Sequence, residues 1–130
     1  MKVARRLILA ATVAVVLPSF GVQAADQQKF SDAAFDSAMK AGKPILVDVA
    51  APWCPTCKAQ APVIKSAAGE ARFKDLVILQ VDFDSQKDAL KRLGARSQST
   101  LITFKGGKEV GRSVGDSNPE SIRKLIETTL

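Results

Sequence analysis

The apolar and polar positions of the chain alternate in two distinct rhythms. The stretch "ILVDVA", Ile45 to Ala50, is apolar everywhere except Asp48. A run that dense and that short predicts a strand buried on both faces, in the middle of a sheet. "LVILQVDF", Leu76 to Phe83, predicts a second such strand, Leu101 to Phe104 a third and Glu109 to Val114 a fourth. Between the last two lies "KGGK", residues 105 to 108, with glycines where a tight hairpin needs positive φ. Helical patterns fill the intervals. The first helix opens at Phe30-Ser31-Asp32, with Ser31 as N-cap, Phe30 and Phe35 placed as a hydrophobic staple, and Gly42 as the stop. Residues 58 to 71 are rich in Ala, with Lys, Gln and Glu, and predict a helix interrupted at Pro62. A short helix capped by Asp84 or Ser85 ends at Gly94, and a last one starts after Ser117-Asn118-Pro119-Glu120 and runs nearly to Leu130. Ile122, Leu125 and Ile126 form its apolar face.

Strands separated by helices imply right-handed parallel crossovers, and the final hairpin adds an antiparallel pair. The expected class is therefore α/β: a central mixed sheet of four or five strands flanked by helices. The fifth strand is a weak signal around Gln27 to Phe30. At 130 residues the chain is long enough for one domain and too short for two ordinary ones.

The first residues follow neither rhythm. Lys2, Arg5 and Arg6 precede an apolar stretch from Leu7 to Leu17, broken only by Thr12. Pro18 and Gly21 end it, and Val22-Gln23-Ala24 puts small residues before a cut. This is the layout of a secretory signal peptide. A spanning helix needs about 20 apolar residues, which this run does not reach. The expected organisation is a signal peptide over residues 1–24, cleaved after Ala24 with Ala25 as the alternative, and a single domain over 25–130. Export would place the protein in the bacterial periplasm.

Charge changes with that cut. The full chain carries 19 Lys and Arg against 13 Asp and Glu, and the leader holds three of the cations, so the mature part keeps a net charge of +3. Its cations are scattered, with no basic run interleaved with aromatics, so nucleic-acid binding is not expected.

Both cysteines of the chain lie in "DVAAPWCPTCKAQAP", separated by Pro55 and Thr56. A disulfide across two residues closes too short a loop to be much of a staple. Zinc prefers four Cys or His ligands, and the chain offers two cysteines and no histidine. A redox couple asks for less. Cys54 follows the Ile45–Ala50 strand and starts the next helix, where unpaired N–H groups and the helix dipole favour a thiolate. Cys57 lies one turn on and is placed to attack a mixed disulfide formed at Cys54. Cys54 is accordingly expected to be the more accessible and the more acidic thiol.

The segment "ILVDVAAPWCPTCKAQAP" resembles the active-site segment of the thioredoxin family, with Trp53 before the first cysteine, Lys58 after the second and Pro62 five residues beyond Cys57. The resemblance continues through "STLITFKGGKEVGRSVG", including Gly107 and Gly115. It implies the thioredoxin fold and thiol–disulfide exchange, with a redox disulfide between Cys54, the nucleophile, and Cys57, the resolving thiol. Asp48 is then a general base for Cys57, its pKa raised by desolvation. Trp53, Pro55, Thr56, Ser99, Thr100 and Gly115 form the expected substrate groove. No cofactor and no resident metal are implied, and a monomer is expected.

The sequence departs from the family in four places. Pro55-Thr56 replaces Gly-Pro, Gln80 aligns with a lysine, and Ala50 stands where many members have tryptophan. Most consequential, Ser99 occupies the position of a cis-proline that faces the cysteines. A cis peptide before a non-proline costs about 2.5–4 kcal/mol, so a trans Gln98–Ser99 bond is expected. Loss of the proline ring would also leave the cysteines more open, the motive for an alternative reading as a metal- or cluster-bridged dimer. The preferred reading is a reductant of disulfides in exported proteins, recharged by a membrane-embedded electron carrier. A dithiol oxidase of moderate potential is the alternative within the same chemistry.

Overall fold

A computed structural model describes residues 14–17, 21 and 24–130. The expected leader falls almost wholly outside the described residues. The chain runs through β1 (Asp26–Lys29), α1 (Asp32–Lys40), β2 (Ile45–Ala50), α2 (Pro55–Ala68), a 3₁₀ turn (Ala71–Phe73), β3 (Val77–Asp82), α3 (Lys87–Leu93), β4 (Thr100–Lys105), β5 (Lys108–Val114) and α4 (Pro119–Glu127). The sheet has the order β1-β3-β2-β4-β5. β1, β3 and β2 are parallel, and β4 and β5 antiparallel to their neighbours.

The two dense apolar runs are the central strands, and strand alternation gives each a core on both faces. Ile45, Val47 and Val49, with Val77, Leu79 and Val81, face a cluster completed by Phe35 and Ala38 of α1 and Leu90 and Leu93 of α3. Leu46 and Ile78 point the other way, to Ile64 and Ala67 of α2 and Ile122 and Ile126 of α4. Burial of each large aliphatic side chain stabilises the fold by about 1.5–3 kcal/mol. Asp48 has the parity of Leu46, so it lies on the α2 side of the sheet.

Most boundaries follow the expected signals. The Ser31 hydroxyl accepts the Ala34 N–H at 3.1 Å, and the Phe30 and Phe35 rings pack at 5.5 Å between centroids, completing the staple. Gly106 and Gly107 turn the β4–β5 hairpin with φ of +59° and +78°. Asn118 caps α4 through Glu120 and Ser121.

Three expectations need correction. α2 starts at Pro55, three residues early, and ends at Ala68; it also continues through the exposed Pro62. The cap of α3 is Gln86, not Asp84 or Ser85. The Gln86 amide is drawn inward, accepting from Asp82 N–H and donating to Phe30 C=O, both at 2.9 Å. α4 stops at Glu127. The weakly signalled first strand is present as β1, and every one of its residues is exposed, which is why periodicity barely marks it.

Candidate active site

Ala50 ends β2, and Ala51-Pro52-Trp53 carry the chain to Cys54, the N-cap of α2. Pro55 takes the first helical position, where its missing N–H would have been unpaired anyway. The Cys54 Sγ occupies the place of a capping oxygen and accepts the Cys57 N–H at 3.1 Å. Cys57 returns one turn later on the buried face of α2, its Cα 5.3 Å from that of Cys54, and the two are joined as a disulfide. An N–H aimed at Sγ at the positive end of a helix is an arrangement that favours a thiolate once the bond is reduced.

In this oxidised form both cysteines are buried, whereas the expected order of accessibility concerns the reduced thiols. Cys54 is 1% exposed and Cys57 8%. Ala50, Ala51 and Phe83 pack about the pair, and Ser99, 45 residues away in sequence, brings its Oγ to 3.8 Å from Cys54 Sγ. Cys54 is therefore covered in the oxidised form, with the Ser99 hydroxyl against it.

Ser99 reaches that position through an unusual backbone. No described peptide bond is cis, so Gln98–Ser99 is trans, and Ser99 has φ of +54°. A non-glycine residue in this left-handed region costs roughly 1–2 kcal/mol. Two bonds to its carbonyl hold it there, from Gly115 N–H at 3.0 Å and from Gln60 Nε2 at 3.3 Å. Gly115 itself has φ of +71°, a conformation suited to glycine.

Asp48 is 6% exposed on β2 and lies opposite Gln80 of β3 and Leu101 of β4. Burial pushes its carboxyl up from 3.8 to about 6, and the Gln80 side chain, bonding to the charged form, partly opposes this. A cleft of about 580 Å³ runs past Cys57, Lys58, Ala61 and Gln80, giving solvent a route to the Cys57 side of the pair.

The expected groove residues separate into two groups. Trp53, Pro55 and Gly115 are exposed and Thr56 half-buried around the cysteines. Trp53 is 54% exposed yet tethered: its indole N–H donates to Asp84 at 2.9 Å, and its ring meets Phe83 edge-on. Thr100 is buried, with its hydroxyl donated to Ser97 C=O at 2.7 Å, so its side chain faces inward and not into a groove. Lys58 is exposed.

Sequence reasoning missed Gln60. It is fully buried on the α2 face shared with Cys57, Ile64 and Ala67, and its Nε2 bonds both Ser99 C=O and Asp116 C=O. The signal was available, since a glutamine at the i+3 position after Cys57 interrupts the apolar stripe of the helix. Asp84, expected to cap a helix, instead anchors Trp53.

Known proteins share this arrangement. The family model described as Thioredoxin matches residues 26–128. Thioredoxin of Chlamydia muridarum is 39% identical over 105 residues, covering 81% of this chain and 95% of its own. Thioredoxin-2 of Saccharomyces cerevisiae is 38% identical over 97 residues, covering 74% and 90%. Among solved structures, Trxlp from Edwardsiella tarda superposes with a TM-score of 0.74 at 40% identity, over 77% of this chain and 98% of that one. With relatives this similar over nearly their whole length, and a paired Cys54–Cys57 at the head of α2, the chain belongs to the thioredoxin family and is a thiol–disulfide oxidoreductase.

Proposed function

We propose that the protein is exported to the bacterial periplasm and there reduces disulfides in other exported proteins. The pattern of residues 2–24 supports export, and an oxidising compartment is where such substrates accumulate. The observation that carries the chemistry is the Cys57 N–H on Cys54 Sγ at the start of α2. Cys54, as thiolate, attacks one sulfur of the substrate disulfide and releases the other as a thiolate. Cys57 then loses its proton to Asp48 and attacks Cys54. The mixed disulfide breaks, the substrate leaves with two thiols, and the protein holds the Cys54–Cys57 bond, two electrons poorer. Asp48 suits the task because a carboxyl near pH 6 takes a proton at neutral pH and gives it up again. Trp53, Pro55, Thr56 and Gly115 supply the exposed rim on which a substrate chain lies. Electrons return from a membrane-embedded carrier, since the compartment has no soluble reductant pool to draw on.

Magnitudes favour reduction over oxidation. The span from a thioredoxin to a strong oxidant is about 150 mV, roughly 7 kcal/mol for two electrons. A helix terminus stabilises a thiolate by up to ~2 kcal/mol, and a hydrogen bond to a charged group by about 1.5–3 kcal/mol. Together these fall short of a strong oxidant, and no histidine is present to add more. Equilibration with glutathione, read by alkylation of free thiols, is expected to place the potential between about −270 and −200 mV. A value above about −150 mV would make the protein a dithiol oxidase instead.

A further inference from the structure

We propose that the Ser99 hydroxyl donates a hydrogen bond to the Cys54 thiolate when the disulfide is reduced, making Ser99 a further catalytic residue that sets how readily Cys54 attacks and leaves. The proposal rests on Cys54 being the attacking thiol.

The contact already exists in the oxidised form, with Ser99 Oγ 3.8 Å from Cys54 Sγ. A disulfide sulfur carries no hydrogen, so the hydroxyl is the only donor available across that contact. Reduction places a full negative charge on Sγ, and charge-assisted bonds are shorter and about twice as strong as neutral ones. Ser99 is buried, and among the described residues its hydroxyl has no other partner. Water is therefore a poor competitor for it.

The backbone shows that this placement is held and not incidental. Ser99 keeps its left-handed φ of +54° through bonds to its carbonyl from Gln60 Nε2 and Gly115 N–H. Strain of this kind persists only where surrounding structure over-determines it, and it concentrates at functional sites. A buried thiolate also needs donors. Around Cys54 the packed neighbours are apolar, with Ala51 and Phe83 in the same cluster, and the Cys57 N–H at 3.1 Å is one donor. Ser99 supplies a second.

Two variants separate hydroxyl from backbone. Ser99→Ala removes the hydroxyl and keeps a Cβ; Ser99→Gly removes the hydroxyl and also relieves the strained φ, so it folds even if alanine does not. The readout is alkylation of the reduced full chain with iodoacetamide across pH, with Cys54 and Cys57 resolved by peptide mass. In both variants the Cys54 midpoint is expected to rise by about one pH unit, a tenfold loss in the thiolate equilibrium. The equilibrium constant for oxidation by glutathione disulfide is expected to rise by up to tenfold, because the reduced form has lost a stabilising contact. Midpoints that stay with the parent in both variants, or that move in Ser99→Ala alone, would overturn the hydroxyl's role while leaving the function reading intact. Faster alkylation of Cys57 than Cys54 in the parent protein would overturn both.

Discussion

Asp48 is a carboxyl set in a strand whose other residues are apolar, and its consequences follow from the displaced proton affinity. Its pKa rises from 3.8 to about 6, because burial disfavours the charge. Between those values the folded chain binds a proton that the unfolded chain has lost, so this group lowers stability as pH rises through about 4 to 6 and holds the loss above. Two units correspond to roughly 3 kcal/mol. Asp48→Asn should therefore stabilise the oxidised protein by up to about 3 kcal/mol at pH 7 and flatten that part of the stability–pH curve, as chemical denaturation at several pH values would show. Turnover should move the other way. Without a base, Cys57 resolves mixed disulfides about 10²–10⁴-fold more slowly at neutral pH, measurable by stopped-flow mixing with a model disulfide. A variant more stable and equally fast would leave Asp48 a buried carboxyl with no part in the reaction. Ser99 carries the opposite kind of cost, in its backbone. Proline fixes φ near −65°, and Ser99 sits at +54°, so Ser99→Pro has to rebuild the loop. It should destabilise the protein by a few kcal/mol, seen as a lower denaturation midpoint with the disulfide kept intact.

At the scale of elements, the start of α2 orders the two cysteines. Cys54 is the cap and Cys57 lies inside the first turn, so a chain bearing Cys57→Ser should trap substrates as mixed disulfides through Cys54, recoverable on non-reducing gels and absent with Cys54→Ser. The positions of the central strands were legible because a strand buried on both faces reads as a dense apolar run, as β2 and β3 do. The hairpin was legible because Gly106 and Gly107 are the residues a primed turn requires. The beginning of α2 was legible only from the chemistry, which put Cys54 at the helix start; the alanine-rich pattern marks the helix only from residue 58, because the cap is a sulfur and the usual capping residues are oxygen-bearing. The cap of α3 misled for a related reason: Asp84 has the right chemistry for a cap, but its carboxylate holds Trp53, while Gln86 fills the cap position with its side chain turned to Phe30. The left-handed turn at Ser99 left no local mark at all, since it is imposed by Gln60 and Gly115 from distant parts of the chain.

At the scale of the molecule, sheet order brings Cys54 and Ser99 together. β2 and β4 are antiparallel neighbours with Val49 opposite Thr100, so the end of one strand adjoins the start of the other, and the residues just beyond them meet. Backbone bonds at the start of the sheet likewise limit what the proposed export cut could remove. β1 begins at Asp26 and lies beside β3, and its first backbone bonds are Ala25 N–H to Ala68 C=O at 2.9 Å and Asp26 N–H to Leu76 C=O at 3.1 Å. Cleavage after Ala24 keeps both donors, the first now carried by the new α-amino group, and ties the start of the sheet to the end of α2. Cleavage after Ala25 discards the first bond. The mature protein recovered from a periplasmic extract is therefore expected to begin at Ala25, by mass and by N-terminal sequence. A chain prepared to start at Asp26 should be less stable than one starting at Ala25 by about 1 kcal/mol, the net worth of one such bond, at unchanged turnover. Retention of residues 1–24 on the exported protein would instead favour a tether at the membrane. Equal stability of the two shorter chains would mean that the Ala25–Ala68 bond contributes nothing that water does not replace.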